Sequence, residues 1–549
     1  MSDLAEMYRN EGYWTDRQLT DFFESAVAAT PNKVFVKDDR FGAFTYGELS
    51  PKVLKLASAL QQRGIVRGDR FVIALPNWYH APVFALALNY LGAVCVHMPA
   101  TGGPHEFSGV LKVSGAKGIV TPRTFGSSNY VEMINGLADD LDNLELCISV
   151  GDDPIDENWL SYDSLLANAP DNAPDLSNRA TPDDITALLF TSGSSGDPKG
   201  VIHSSTSLTS FNTTVYPIFD FGPDDIIFMG APLGFSAGLI HGLRLAVVLG
   251  CTLILQEAWN SEKALETMAT EKATFSLTTP TLLHDMFQSP AFAEFGHKIC
   301  LKLMLCGGMY VPAPLLEEAR KRWPNTLTSV IWGMTEGIGT SSRFDTPADK
   351  VISTDGRPFL GTELRILDEN SEDAAPGEQG DLVMRGPQLF LGYFNRPELD
   401  DIAFLNNETG RWFYTGDVGT IDADGYLKLT GRKKELIIRG GANLSPSEIE
   451  EKLSGDPRIS KMLVVGIPDE RLGERVCACV IPSEGNGNFC LDDLLEVAKS
   501  SGLSKAKWPE RLEIIDMLPT TSAGKIQRHV LQERICNIVI AENAAAEGE

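Results

Sequence analysis

Short apolar runs recur along this chain, each too brief for a helix and several closing on glycines, hydroxyls or charge. Arg70–Pro76, Gly92–Pro99, Ile185–Phe190, Ile226–Ala231, Thr252–Gln256, Leu301–Cys306 and Ser329–Trp332 are examples, and longer amphipathic stretches such as Tyr46–Arg63 and Ala313–Trp323 lie among them. Strands buried on both faces read as such runs, and amphipathic helices supply the cover they need. The expected fold class is therefore α/β, with largely parallel sheets and helices packed on them. In open sheets of this kind ligands gather beyond the carboxyl ends of strands. Three runs end in candidate chemistry: Leu189-Phe190 leads into Thr191-Ser-Gly, Leu305-Cys306 into Gly307-Gly308, and Val330-Ile331 into Trp332-Gly-Met-Thr-Glu336. These loops are expected to converge on one crevice.

From about Gly361 the texture turns β-rich, with Glu363–Leu367 and Asp381–Arg385 followed by a hairpin. Asp424-Gly425 is a type I′ turn signal. With those two residues as the loop, Ala423 faces Tyr426 and the register carries back to Asp417 facing Arg432. Past the polar segment Gly431-Arg-Lys-Lys-Glu435 a smaller αβ unit follows: helix Pro446–Leu453, strands Met462–Ile467 and Val476–Ile481, helix Leu491–Ser500, strand Leu512–Ile515. The expected domains are 1–431 and 432–549. The Asp/Asn/Pro-rich region 152–184 reads as surface loops.

The 549 residues are 43% apolar, ample for a large core. A formal net charge of −27 argues against a nucleic-acid surface or an anionic membrane face. No apolar run approaches the ~18 residues of a membrane span. The nine cysteines are odd in number and scattered, and Met1-Ser2-Asp3-Leu4 opens no basic-then-apolar leader. Reduced thiols in the cytoplasm are the expectation. Cys477 and Cys479 share one face of a strand rather than forming a metal site.

The densest chemistry is Thr191-Ser192-Gly193-Ser194-Ser195-Gly196-Asp-Pro-Lys199-Gly200. Glycines let a backbone turn tightly and present N–H groups to an anion, hydroxyls donate to phosphate oxygens, and Lys199 adds charge. It is not a Walker A loop, because Gly-Lys-Ser/Thr does not follow either glycine at the required distance. Alone, it says only that an anion is held.

Over nearly the whole chain, from Thr45-Tyr46-Gly-Glu-Leu49 to Leu518-Pro-Thr-Thr-Ser-Ala-Gly-Lys525-Ile-Gln-Arg528, the sequence resembles the adenylate-forming enzymes, which include acyl-CoA synthetases, luciferases and peptide-synthetase adenylation domains. Within that family it looks most like short- and medium-chain and alicyclic-acid CoA ligases. The resemblance implies a large N-terminal domain of two α/β subdomains plus a distorted β-barrel, and a small mobile C-terminal αβ domain. It implies ATP, Mg²⁺ and coenzyme A as ligands. It makes Thr191 to Gly196 and Lys199 the phosphate loop, Trp332 and Gly333 the adenine platform (Trp where the family commonly has Tyr), Thr335 a contact to the α-phosphate and Glu336 the Mg²⁺ ligand. Asp417 would take the ribose hydroxyls with Arg432 beside it. Lys525 would be the catalytic lysine, a cation between two anions that must approach each other. Lys434 would be the hinge of the mobile domain, and Arg439, Gly440 and Gly441 would meet coenzyme A in the second half-reaction.

The acyl pocket is less legible. Ala231-Pro-Leu-Gly-Phe-Ser-Ala-Gly-Leu-Ile-His-Gly242 follows the family's Pro-x-x-His-x-x-Gly pattern except that Phe235 replaces the His. Phe235, Ala237, Gly238, Gly308, Met309, Gly337, Ile338 and Gly339 are the expected lining, apolar and glycine-rich. No Asp stands between Ala231 and Leu243 to pair with an amino group, so an α-amino acid is disfavoured. The expected reaction is ATP-dependent activation of an apolar carboxylic acid (medium-chain, alicyclic, aromatic or steroid-derived) and transfer to coenzyme A. Loading of a carrier protein is the alternative, and a non-catalytic binder is disfavoured by retention of Glu336, Asp417, Lys434 and Lys525. The sequence carries no assembly signal; an isologous homodimer is the commonest arrangement.

Overall fold

The computed structural model describes residues 2–138, 141–151, 156–192, 198–407, 410–439, 442–469, 471–501, 503–520 and 526–546. The chain forms two compact units, one of Met1–Ile352, Gly356–Glu363 and Arg385–Arg411, the other of Ser353–Asp355, Leu364–Met384 and Trp412–Glu549.

The first unit holds two large sheets. Helix α1 (Tyr46–Gln62) begins at a capping box, in which the Thr45 hydroxyl accepts from the Glu48 N–H and the Glu48 carboxylate accepts from the Thr45 N–H. Its buried Leu49, Val53, Leu56 and Leu60 recur at helical spacing. Strands β1 (Arg70–Ile73) and β2 (Val94–His97) are parallel neighbours, and β3 (Ile185–Ser192) adds in parallel beside β2. Strand β4 (Pro198–Ser204) turns back antiparallel on β3 with Thr191 facing Lys199. Helix α2 (Ser205–Thr214) follows at once, its first turn closed by the Ser204 hydroxyl accepting from the Ser207 N–H at 3.1 Å. The second sheet contains β5 (Ile226–Met229), β6 (Leu303–Gly307) and, after helix α3 (Ala313–Arg322), β7 (Leu327–Met334); its inner strands run parallel. Strand β8 (Gly337–Ser341) doubles back on β7. Strand β9 (Gly392–Tyr393) then returns to the first sheet and pairs with β4.

Every apolar run quoted from the sequence is a strand here, so the α/β reading holds. The region 152–184 needs correction: it contains strand Trp159–Ser161 and helix Tyr162–Ala167, capped by Ser161. Trp159, Tyr162 and Leu165 are buried, and those three anchors outweigh a composition that otherwise reads as loop.

In the second unit, β10 (Gly410–Ile421) pairs antiparallel with β11 (Leu427–Arg432). The smaller αβ part contains α4 (Pro446–Leu453), the long antiparallel pair β12 (Ile459–Asp469) and β13 (Gly473–Pro482), α5 (Leu491–Ser500) and α6 (Arg528–Ala546). Both expected helices appear with the expected ends, two of the expected strands run longer than their apolar cores, and the third, expected at Leu512–Ile515, is Arg511–Ile514. Cys477 and Cys479 lie side by side on β13, both buried.

The turn between β10 and β11 departs from the two-residue reading. Asp422 and Tyr426 face each other through an Asp422 N–H to Tyr426 carbonyl bond of 3.0 Å, leaving Ala423-Asp424-Gly425 as a three-residue loop. Gly425 has φ +82°, the left-handed residue such a loop requires. Ile421 therefore faces Leu427 and Gly419 faces Leu429, one place off the expected register. A bulge between Val418 and Gly419 restores it, and Asp417 faces Arg432 after all.

Candidate active site

Two hairpins of the first unit carry the described residues expected to meet the phosphates. In β3–β4 the strands bring Thr191 opposite Lys199 and Ser192 opposite Pro198. Gly193, Ser194, Ser195 and Gly196, and the Ser192 side chain, lie outside the described residues. In β7–β8 Met334 faces Gly337, so Thr335 and Glu336 form a two-residue tip.

That tip is gripped from several sides. His203 on β4 places Nε2 2.8 Å from the Thr335 carbonyl oxygen. A carbonyl only accepts, so Nε2 carries the proton. Burial holds the imidazole neutral, pushing its pKa down to about 4, against the smaller opposing effect of the Thr335 carbonyl. Nδ1 is then an acceptor facing the Ser207 hydroxyl at 3.2 Å. Ser236 and Thr335 bring their hydroxyl oxygens to 3.4 Å. The Phe390 N–H donates to the Glu336 carbonyl at 2.8 Å, and the Tyr393 hydroxyl donates to Glu336 Oε1 at 2.8 Å. The Lys199 ammonium stands 5.5 Å from the centroid of the same Tyr393 ring. Leu391 and Phe394 donate their N–H groups to the Ile202 and Gly200 carbonyls, binding the 390–394 segment to β4. The phosphate-loop hairpin and the Thr335–Glu336 tip thus form one connected structure.

Trp332 lies on β7, 6% exposed. Its ring lies against Gly339 across the hairpin, where a Cβ would come within 2.1 Å of the indole. Gly333 is the next strand residue. Among the expected acyl-pocket residues, Gly337 and Ile338 border a small cavity of about 10 Å³, room for roughly one water, together with Met334 and Thr335. The rest of its wall comes from His203, from Ser207, Leu208 and Phe211 on α2, and from Ile240 and Gln388. Gln388 is held by bonds from Nε2 to the Ile338 carbonyl (2.7 Å) and the Thr362 hydroxyl (2.6 Å). Phe235 caps the short helix Ser236–Gly238, which contains Ala237 and Gly238. Gly308 is exposed, and Met309 places its sulfur 4.0 Å from the Thr281 hydroxyl.

In the second unit Asp417 is 5% exposed and its Oδ1 lies 3.1 Å from Arg432 Nε. Lys434 sits in the 3₁₀ turn Lys433–Glu435. Arg439, on strand Ile437–Arg439, is clamped by Glu510 through two bonds of 3.0 and 2.9 Å. Lys525, Gly440 and Gly441 lie outside the described residues.

Among the described residues no three His, Cys, Asp or Glu side chains are grouped to hold a metal. Glu336 offers a single hard oxygen donor with Oε1 already bonded. That suits an ion such as Mg²⁺, which takes one or two carboxylates and completes its shell with phosphate oxygens and water. His203, Phe390, Gln388 and Tyr393 were not singled out from the sequence. Tyr393 is 57 positions from the carboxylate it holds, and no local pattern announces such a pairing.

The described part of the site is an α/β unit in which one hairpin and the segment paired to it brace a Thr–Glu tip on another. Residues 23–394 match the AMP-binding enzyme family and residues 448–525 the AMP-binding enzyme C-terminal domain. The chain belongs to this adenylate-forming family. It is 31% identical to the medium-chain fatty-acid–CoA ligase of Escherichia coli (strain K12), over 96% of this chain and 92% of that one. It is 32% identical to the feruloyl-CoA synthase of an Amycolatopsis species, over 90% and 94%. Its fold matches ATP-bound MatB from Rhodopseudomonas palustris with a TM-score of 0.82 at 26% identity, covering 95% of this chain and all of that one (100%).

Proposed function

We propose that this chain is an AMP-forming acyl-CoA synthetase acting on an apolar carboxylic acid. The observation that carries this reading is the Thr335–Glu336 tip, held by His203 and Tyr393 against the strand that leaves the phosphate loop, in a chain of the AMP-binding family. A carboxylate oxygen of the acid attacks the α-phosphorus of ATP, the bond to the bridging oxygen of the β-phosphate breaks, and pyrophosphate leaves. The thiol of coenzyme A then attacks the acyl carbon, loses its proton, and AMP leaves.

In this reading Thr191 to Gly196 and Lys199 orient the β- and γ-phosphates, and Trp332 with Gly333 supports adenine. Thr335 donates to the α-phosphate. Asp417 accepts from the two ribose hydroxyls, with Arg432 holding the carboxylate. Lys525 neutralises charge between the acid and the α-phosphate, Lys434 is the hinge of a C-terminal domain spanning 432–549, and Arg439, Gly440 and Gly441 serve coenzyme A. Mg²⁺ held at Glu336 would screen the phosphate charge. For the acid, the apolar character of Leu208, Phe211, Ile240 and Ile338 around that small cavity favours a hydrocarbon or ring over a charged group, once the side chains part to admit it. The names of the two ligase relatives, one medium-chain and one feruloyl, support the same range. All nine cysteines are free thiols, which suits a reducing cytoplasm.

The test is pyrophosphate and AMP release across C4 to C12 acids, benzoates, cinnamates and alicyclic acids, with and without coenzyme A. Pyrophosphate in both arms and acyl-CoA only with coenzyme A is the expected result. Acyl-adenylate that forms but is never passed to coenzyme A would move the reading to carrier-protein loading. No AMP from any acid would end it. Lys525→Ala should abolish adenylation, a loss of at least ~10²-fold, yet still make thioester from supplied acyl-adenylate.

A further inference from the structure

We propose that Tyr393 is a positioning residue for the metal-bound nucleotide, presetting the Glu336 carboxylate so that Oε1 is engaged and Oε2 is left to the ion. This rests on the reading of Glu336 as a metal ligand. A carboxylate at a two-residue hairpin tip has three free torsions and ordinarily turns to water. Fixing such a side chain at the moment of binding costs rotamer entropy. Here Glu336 is half-buried and fixed twice by one short segment. Phe390 holds its backbone carbonyl and Tyr393 its Oε1, each at 2.8 Å.

The hairpin does not need the second grip, because β7 and β8 already close on either side of the tip and the backbone bond to Phe390 fixes where it points. The side-chain bond acts only on the carboxylate. Tyr393 is itself stiff. It pairs with Val201 on β4, its N–H donates to Asp400 Oδ1 at 2.9 Å, and its ring packs on Phe390 at 5.0 Å between centroids. It also touches Lys199, whose ammonium lies over its face. One phenol therefore sets the carboxylate for the ion and borders the lysine for the phosphates. Partners standing behind a metal ligand characteristically change metal affinity by about 10- to 100-fold when removed.

The experiment is calorimetric titration of the full chain with ATP, once in excess Mg²⁺ and once in chelator, for wild type, Tyr393→Phe, Glu336→Gln and the double variant. Melting curves establish that each is folded, and Mn²⁺–ATP binding followed by electron paramagnetic resonance gives a second readout. Tyr393→Phe should weaken ATP binding about tenfold with Mg²⁺ and leave it within twofold in chelator, and it should add nothing once Glu336 is Gln. Equal weakening in both arms would make Tyr393 a general structural support and overturn the proposal. So would unchanged Mg²⁺-dependent binding, or a further loss in the double variant. Glu336→Gln with undiminished Mg²⁺ dependence would instead remove the metal reading itself, a distinguishable failure.

Discussion

Asp355 is a carboxyl group held out of water in the second unit, accepting the Leu429 N–H at 2.7 Å. Burial pushes its pKa up to about 6; the Leu429 bond and Lys428 oppose this, and the negative Asp417 adds to it. The native state therefore keeps a proton between pH 3.8 and about 6 that the unfolded chain releases. Its burden on stability is absent at acid pH, grows as pH rises through that window, and is fully present above it. Integrated, the burden is of order 3 kcal/mol. Asp355→Asn keeps an oxygen for the Leu429 N–H and removes the charge. Its melting temperature should exceed the wild type's at pH 8, with the difference shrinking toward pH 5. A difference that grew on acidification would contradict the assignment.

At the scale of elements, two hairpins do most of the positioning, and each depends on a glycine for a different reason. In β7–β8, Gly339 leaves room for the indole of Trp332, and a Cβ there would lie 2.1 Å from the ring. Gly339→Ala should displace the indole at a cost of about 1–3 kcal/mol, as overpacking does. If Trp332 supports adenine, the same variant weakens ATP and AMP alike by about tenfold, since 1.4 kcal/mol is a factor of ten. Titration with AMP checks this, because AMP lacks the phosphates that the other loops hold. Unchanged AMP affinity in a destabilised variant would take Trp332 out of the nucleotide site. In β10–β11, Gly425 serves the loop through its φ of +82° with nothing crowding it. The function there belongs to the bulge, which returns Arg432 to the same side of the ladder as Asp417.

Across the whole molecule the buried histidines govern the response to acid. Burial holds His80, His97 and His241 neutral with pKa values down to about 3, and His203 to about 4, against an ordinary 6.5. The native state refuses protons that the unfolded chain accepts below 6.5. Stability from this source is complete above pH 6.5 and is lost as pH falls toward 4 and 3. Each histidine withdraws up to about 1.4 kcal/mol per pH unit in that window. All four lie in the first unit, so its melting transition should fall steeply between pH 7.5 and 5.5, while Asp355 acts with the opposite trend in the second unit. Calorimetry at a series of pH values checks this, and a flat transition would show that the four rings are not held neutral. His203 ties the effect to chemistry, since its Nε2–H holds the Thr335 carbonyl.

What could be read along the chain was whatever the backbone decides locally. Buried strands announce themselves as short apolar runs, and helices α4 and α5 by their periodicity and caps. The family was legible because its phosphate loop, Thr–Glu tip and lysine are contiguous words. Even the Asp417–Arg432 facing was foreseen, although by a two-residue turn that is in fact a three-residue loop compensated by a bulge. A register depends on every insertion along a ladder, and turn propensity sees only the first. Folding alone decided which distant side chains meet: Tyr393 on Glu336, His203 on Thr335, Gln388 and α2 around the cavity. Those contacts join strands from two different sheets, and their partners are chosen by strand order and crossover, which no local stretch of residues encodes.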